Sequence, residues 1–451
     1  MKRPLPRNIG WPLGCSLGLV TVALAADAHL EPWDRVPPPA DSLMVSTWRL
    51  SNDQGWQTRL AGHARTMAEA YRNPDFGLTG LSEDAWVHHR VQAFLAVDHE
   101  QDFTLAAELT WGEIQGKRGE LSPVDEDEPD LLQGYIQTRW ELPVGELVLR
   151  VGRQMLYYGS GRLLAHREGA NQRLSHDALR LSWRHAGWQV DVLGASPVRV
   201  QSGAFDNESR FYQTQLWGLY ATGPSWFGAG HGVDLYYLGL HVDESPLRPS
   251  QNEIRHTFGT RWFGQTERWR YNHELILQTG QTGEEDILAG ALSLGLGRLF
   301  KHVPLSPLLG FKGDLISGGQ SGGESHTFHP LFQANNYFNE GGFISPSNLW
   351  NVNPYLVLQL HRSVSLTLGV NFLWRYAADD AVYGPPFNEL GGPAPNGEKY
   401  LGTAYNLALS WDPHPAFNIA FGFTHHEAGP SLTAVGGQSV DYLQVAARLE
   451  F

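Results

Sequence analysis

The sequence predicts an all-β protein: one transmembrane antiparallel β-barrel of eighteen strands, with both termini in the periplasm. Three observations carry that expectation. Apolar and polar residues alternate with a period of two in many segments, and the connections between those segments are short and long by turns. The composition holds 50 Gly with 16 Trp, 16 Tyr and 20 Phe, while no apolar stripe of helical period occurs.

The chain starts with Lys2, Arg3 and Arg7, an apolar run from Leu13 to Leu24, and Ala-x-Ala at 23–25 and 26–28. This pattern marks residues 1–25 as a secretory signal peptide, with cleavage as late as 28 as the alternative. The apolar run falls short of the ~20 residues a membrane-spanning helix needs. Cys15, the single cysteine, lies within the signal, so the mature chain has no thiol for disulfides or metal. Residues 26–56 read as an N-terminal periplasmic lead and 57–451 as the barrel.

Strands are expected near 57–71, 86–97, 102–112, 131–142, 145–154, 177–185, 187–195, 210–222, 231–243, 254–264, 268–280, 285–296, 308–318, 350–361, 363–376, 400–411, 415–426 and 439–451. The last segment shows the pattern: Leu443, Val445, Ala447, Leu449 and Phe451 on one face, Gln444, Ala446, Arg448 and Glu450 on the other. A terminal strand ending on an aromatic is typical of bacterial outer-membrane barrels. Tight connections such as Pro143-Val144-Gly145 and Ala186-Gly187 follow even-numbered strands, and long ones such as 155–176, 319–349 and 377–399 follow odd-numbered ones. The turns around 223–230 and 297–307 are long for their side. Periplasmic turns and extracellular loops sort in this way, whereas a soluble sandwich has no reason to. Closure follows because hydrocarbon offers no water to unpaired backbone groups, and eighteen strands are wide enough for an aqueous lumen.

Charge narrows the partners. Removing Lys2, Arg3 and Arg7 leaves 30 basic against 47 acidic residues, a formal −17, which argues against nucleic acid. Yet residues 152–173, GRQMLYYGSGRLLAHREGANQR, hold Arg153, Arg162, Arg167 and Arg173 against the single acid Glu168. The whole chain has 28 Arg and only 5 Lys, and a guanidinium grips a carboxylate with a planar fork. Strand parity turns further arginines inward: Arg59 and Arg65 (with His63), Arg90, Arg139, Arg150, Arg180 and Arg184, with Arg255, Arg261 and Arg375 as additional lumen candidates. Arg153 has outward parity but sits at a strand end. Loop 155–176 is expected to fold into the bore and to bring Arg162, Arg167 and Arg173 with it. Glu168, Asp177, Asp206 and Glu208 are the expected charge partners. Any single arginine serves equally well as a brace for the wall. For the whole cluster the cations exceed nearby acids, which implies a cationic constriction able to replace the lost hydration of an anion.

Other features have ordinary accounts. The acidic run 125–130, DEDEPD, reads as a solvated loop, with a Ca²⁺ site or divalent bridging to lipopolysaccharide as the alternative, and no metal or cofactor is expected. Neighbouring histidines at 88–89 and 425–426 point to opposite faces and cannot share one site. Trp86, Trp111, Trp140, Trp217, Trp262, Trp350, Trp374 and Trp411 suit membrane girdles. Ser160 lacks a Gly-x-Ser-x-Gly elbow and no histidine is placed beside it by register, so no enzyme is expected.

The run LVLRVGRQMLYYGSGRLLAHREGANQRLSHDALRL at 147–181, followed by GAFDNE and WGLYAT, resembles the alginate export family of outer-membrane channels. Looser likeness runs from YRNPDFG at 71 through VDLYYLGL and RHTFGTRWFG to the last strand. His176 stands where an aromatic is expected before Asp177, and loop 113–130 is unusually acidic. The resemblance implies a monomeric channel that passes a uronate polymer through an arginine-lined constriction. Its expected partners are an anionic polysaccharide, outer-membrane lipid and lipopolysaccharide, and periplasmic export components. It leaves the polymer and the direction of transport open. The alternative is a general or nutrient porin for small anions or oligosaccharides, with a wider, loop-free bore.

Overall fold

A computed structural model describes residues 48–51, 55–100, 102–225, 228 and 230–451. The expected signal peptide and residues 26–47 of the expected lead lie outside the described residues. Eighteen strands form the wall: β1 (Trp56–Arg72), β2 (Glu83–His99), β3 (Phe103–Gln115), β4 (Asp127–Leu142), β5 (Gly145–Gln154), β6 (His176–His185), β7 (Trp188–Arg199), β8 (Thr214–Pro224) and β9 (His231–Val242). They continue with β10 (Glu253–Gln265), β11 (Trp269–Thr282), β12 (Glu285–Leu299), β13 (Leu308–Ile316), β14 (Leu349–His361), β15 (Val364–Arg375), β16 (Tyr400–His414), β17 (Phe417–Ala428) and β18 (Val440–Glu450). Each pairs antiparallel with the next, and β18 pairs with β1 to close the sheet. Residues 48–51, expected as part of the lead, instead form a short strand paired with β1. No helix among the described residues is long and apolar enough to cross a membrane.

The closing seam shows why particular small residues stand where they do. Ala64 sits opposite Leu449, and Gly62 exchanges backbone hydrogen bonds with Phe451. A Cβ on Gly62 would lie 2.4 Å from the Phe451 ring, so only glycine leaves room for that aromatic to lie across β1.

Alternation separates the two faces. On β5, Arg150 is 2% exposed while its neighbour Val151 is 46% exposed, the contrast expected of an outer face turned to lipid. Leu60, Leu95, Ile136, Leu179, Leu235, Leu275 and Leu309 lie on the same exposed outer surface. Trp350 and Trp374 stack there with ring centroids 4.0 Å apart. Trp86 departs from the girdle expectation: it shares the parity of buried His88 and Arg90, and its indole N–H donates to Glu69 inside the barrel.

Long connections gather at one end, with one exception. β11 and β12 are joined there by residues 283–284 alone, with Gly283 at φ +59 in the tight turn. The neighbouring loop compensates, since Glu324 and Ser325 pair parallel with Asp286 and Ile287 of β12.

The interior differs from the polar wall that the alternation implies. Leu216 and Tyr220 of β8, Tyr236, Leu238 and Leu240 of β9, and Ile276 of β11 are buried in one apolar cluster with Leu156, Leu163 and Leu164 of loop 155–175 and Phe328, Leu331, Tyr337, Phe338 and Ile344 of loop 317–348. The physical cause is that two loops fold inside the barrel, and a loop packed against a wall needs apolar surface on both. The loops also pair with each other. Ala165 N donates to Phe332 O, Phe332 N to Leu163 O and Ala334 N to Gly161 O.

Candidate functional site

Register places three arginines side by side on the inner wall. Arg65, near the middle of β1, lies opposite Arg448 of β18 on one side and Arg90 of β2 on the other. Directly opposed like charges destabilise a sheet, so the row needs an anion, and loop 155–175 supplies one. Glu168 Oε1 accepts from Arg90 Nη2 at 2.5 Å and from Arg448 Nη2 at 2.8 Å. Its Oε2 accepts from Arg173 Nη2 at 2.5 Å and Nε at 2.6 Å. The loop backbone adds acceptors: Arg65 donates to Glu168 O at 2.6 Å and Ala170 O at 2.9 Å, and Arg90 donates to Ala170 O at 3.0 Å.

Three guanidiniums thus converge on one carboxylate, and Arg65 beside them is held by the loop carbonyls. Further acids stand at the margin: Glu108 is buried and held by Gln133, and Glu450 lies 3.9 Å from Arg448. Burial alone would raise the Glu168 carboxyl, but Arg173, Arg90 and Arg448 outweigh it and hold it well below the usual range. His166, whose Nε2 is 4.0 Å from Glu168, is pushed down to about 4 by burial and by Arg173.

The wall is shaped to receive the loop. A Cβ on Gly112 of β3 would lie 2.2 Å from Gln172 Nε2 and 2.9 Å from Asn171 Nδ2, so the missing side chain is the seat of these two amides. Thr110 Oγ1 donates to Gln172 Oε1, and Asn171 Nδ2 donates to Asp125 O. The far end of the loop is fastened across the barrel, where Arg162 Nη1 donates to Glu274 Oε2 of β11 at 2.7 Å. Arg162 Nε donates to Tyr337 Oη, which donates to Asp314 of β13, and Tyr236 Oη donates to the other Glu274 oxygen.

The remaining expected arginines are placed as follows. Near the short-turn end, a cavity of about 280 Å³ is lined by Arg59, Arg139 and Arg150 with Asp98, Tyr135 and Gln137. Arg59 pairs with Asp98 at 2.6 Å and Arg139 with Glu146 at 3.3 Å, while Arg150 donates to Gln137 and lies 4.0 Å over the Tyr135 ring. Arg180 is the cross-strand neighbour of Arg150. Arg255 pairs with Glu253 and Arg261 with Asp234. Arg375 donates to Ser431 Oγ and to the carbonyls of Asp380 and Gly392. Arg167 donates to Gln333 O at 3.4 Å, and burial lowers its guanidinium to about 10.

Three expectations are corrected. Arg153 does not line the lumen: it keeps the outward parity of Val151 and pairs on the outer face with Asp177 at 2.9 Å. The excess of cations over acids is local and not spread along the wall: Arg59, Arg162, Arg255 and Arg261 each have an acid, Arg139 and Arg184 share Glu146, and at Glu168 three guanidiniums meet one carboxylate. The run 125–130 is not simply solvated. Asp127 and Asp130 are buried, accept from Asn207 of the connection between β7 and β8, and stand within 4.8 Å of an Asp206 oxygen. Asp206 therefore lies beside acids instead of an arginine, and Glu208 makes none of the ion pairs found among the described residues.

Sequence reasoning overlooked Arg448 although its inward parity in the last strand was plain. The acids that pair with the arginines, Asp98, Glu146, Asp234, Glu253 and Glu274, leave no local signal, because cross-strand register and loop folding bring them into contact.

The alginate export family profile matches residues 57–446, nearly the whole barrel. No curated protein matches the sequence. Among solved structures the fold is similar to Acinetobacter baumannii OccAB1, with a TM-score of 0.60 at 9% identity over 87% of this chain and 96% of that one. Pseudomonas aeruginosa OpdL has a TM-score of 0.60 at 11% identity, covering 87% and 98%. P. aeruginosa OccK2 (OpdF) in complex with glucuronate has a TM-score of 0.59 at 10% identity, again covering 87% and 98%.

Proposed function

The chain belongs to the alginate export family, and on that premise we propose that this outer-membrane channel carries an anionic polysaccharide such as alginate outward past Arg65, Arg90, Arg173 and Arg448. It is a channel and not an enzyme. The observation that carries the reading is the row Arg448–Arg65–Arg90, joined by Arg173, around the one carboxylate of Glu168. Guanidinium forks suit a carboxylate on every sugar, and a strand of such sugars can step from one weak site to the next. The arginines of the short-turn cavity extend the series below the row.

A second reading has its own support. The fold neighbour from P. aeruginosa that holds glucuronate makes small uronates reasonable cargo. Two loops packed inside the barrel count against a general porin with a loop-free bore. Planar-bilayer recording separates the readings. Export of a polyanion predicts anion selectivity and block by polyuronate from either side. Cation selectivity, or free passage of glucuronate with no block by polymer, refutes it.

A further inference from the structure

The Glu168 side chain is 30% exposed; of the arginines that grip its carboxylate, Arg90 at 0% and Arg173 at 5% are closed off, while Arg448 at 35% is open to solvent. Solvent therefore reaches the carboxylate from the Arg448 side, while Arg90 and Arg173 lie behind it. Both of its oxygens are bound in the manner of a ligand, Oε1 by two arginines from the wall and Oε2 by the fork of Arg173. The wall arginines would oppose one another without it. Arg65 Nε and Arg90 Nε remain buried with no acceptor, so this one acid does not saturate the cluster. The backbone that presents Glu168 is itself held in an uncommon state. Arg167, just before it, has φ +58, a left-handed conformation that a residue with a side chain adopts only under strain. Gly169, just after it, has open space where a Cβ would be.

We propose that Arg90, Arg173 and Arg448, with Arg65 beside them, form a binding site for a single carboxylate, which Glu168 fills as a tethered stand-in until the carboxylate of a uronate residue takes its place. The inference rests on the polyanion reading above and deepens it. The exchange is one anion for another on the same three cations, so the like-charged row is never left without an anion. It also links cargo to the loop, because a uronate that displaces Glu168 removes the acidic anchor of residues 155–175 from the wall. The strained Arg167 backbone favours that release.

The test uses the full-length channel in planar bilayers, with Glu168→Ala and Glu168→Gln against the wild type. Removing the tethered carboxylate vacates the site, so glucuronate and oligouronate should block Glu168→Ala at concentrations about 10-fold lower than they block the wild type. Formate or acetate should quieten the current noise of Glu168→Ala, while chloride at equal ionic strength should not. Glu168→Gln keeps the shape of the loop and serves if the alanine variant fails to fold, with the same direction of change in uronate block. Uronate block that is no tighter in both variants, with no response to formate, overturns the proposal. If the wild type is blocked by polyuronate in that case, the polyanion channel stands without the stand-in. If formate acts on Glu168→Ala but no polyuronate blocks any form, the single-carboxylate site stands and the polymer reading falls.

Discussion

Replacing Arg162 by Met tests whether loop 155–175 is held across the lumen by its buried ion pair. Glu274 is 4% exposed and receives Arg162 at 2.7 Å, so the substitution strands a carboxylate in the interior. Breaking a buried pair by removing one partner costs ~3–5 kcal/mol. Glu274 keeps the Tyr236 hydroxyl at 2.7 Å and Ser160 at 3.3 Å, which places the cost toward the lower end. A loss of about 3 kcal/mol shifts the balance between seated and released loop by roughly 100-fold. Amide hydrogen exchange should accelerate by about that factor across residues 155–175, with little change in the strands. Single-channel records should gain larger and noisier conductance levels. Adding Glu274→Leu should restore the wild-type pattern in large part, because an apolar partner leaves no charge uncompensated. Unchanged exchange and conductance in Arg162→Met would refute the idea that this pair fastens the loop.

The other predictions follow from the same geometry. His166 is held near 4, below its ordinary 6.5, so the unfolded loop takes up the proton first and seating weakens by up to ~1.4 kcal/mol per pH unit between about 6.5 and 4. The groups facing that ring are Tyr157, Glu168, Arg173, Arg90 and Arg448. The depressed Glu168 adds stability that is fully present above its ordinary value of 4.5 and is lost only below it, so the rise in loop exchange between pH 6.5 and 4.5 belongs to His166, and His166→Gln should flatten it. Gly62→Val drives a Cβ into the Phe451 ring and should cost about 1–3 kcal/mol, seen as a lower urea midpoint in vesicle refolding and recovered by Phe451→Ala. Leu235→Arg on the lipid face should cost ~2–4 kcal/mol in the same assay, and an Arg placed at exposed Leu121 of loop 116–126 should cost little.

Much of the wall was legible because lipid on one side and a closed interior on the other impose a strict period of two. That rule alone places Arg65, Arg90 and Arg448 on the inner face, and the residues of VDLYYLGL show where it fails. Leu235 faces lipid while Tyr236, Leu238 and Leu240 face packed loops, so both faces are apolar and the alternation disappears. The charge state of the lumen was illegible for a related reason. Glu274 reaches Arg162 from more than a hundred residues away, and only register across nonconsecutive parts of the chain brings them together. Local composition likewise made residues 125–130 look solvated, although Asn207 from a later loop covers Asp127 and Asp130.

The backbone ribbon between residues 161–165 and 332–334 ties the two inward loops into one body. A latch made of two tongues sewn together cannot lift one tongue at a time. Whatever frees the arginine-bearing segment must carry its companion along, so the aperture should switch between two sizes in single steps and show few intermediate ones.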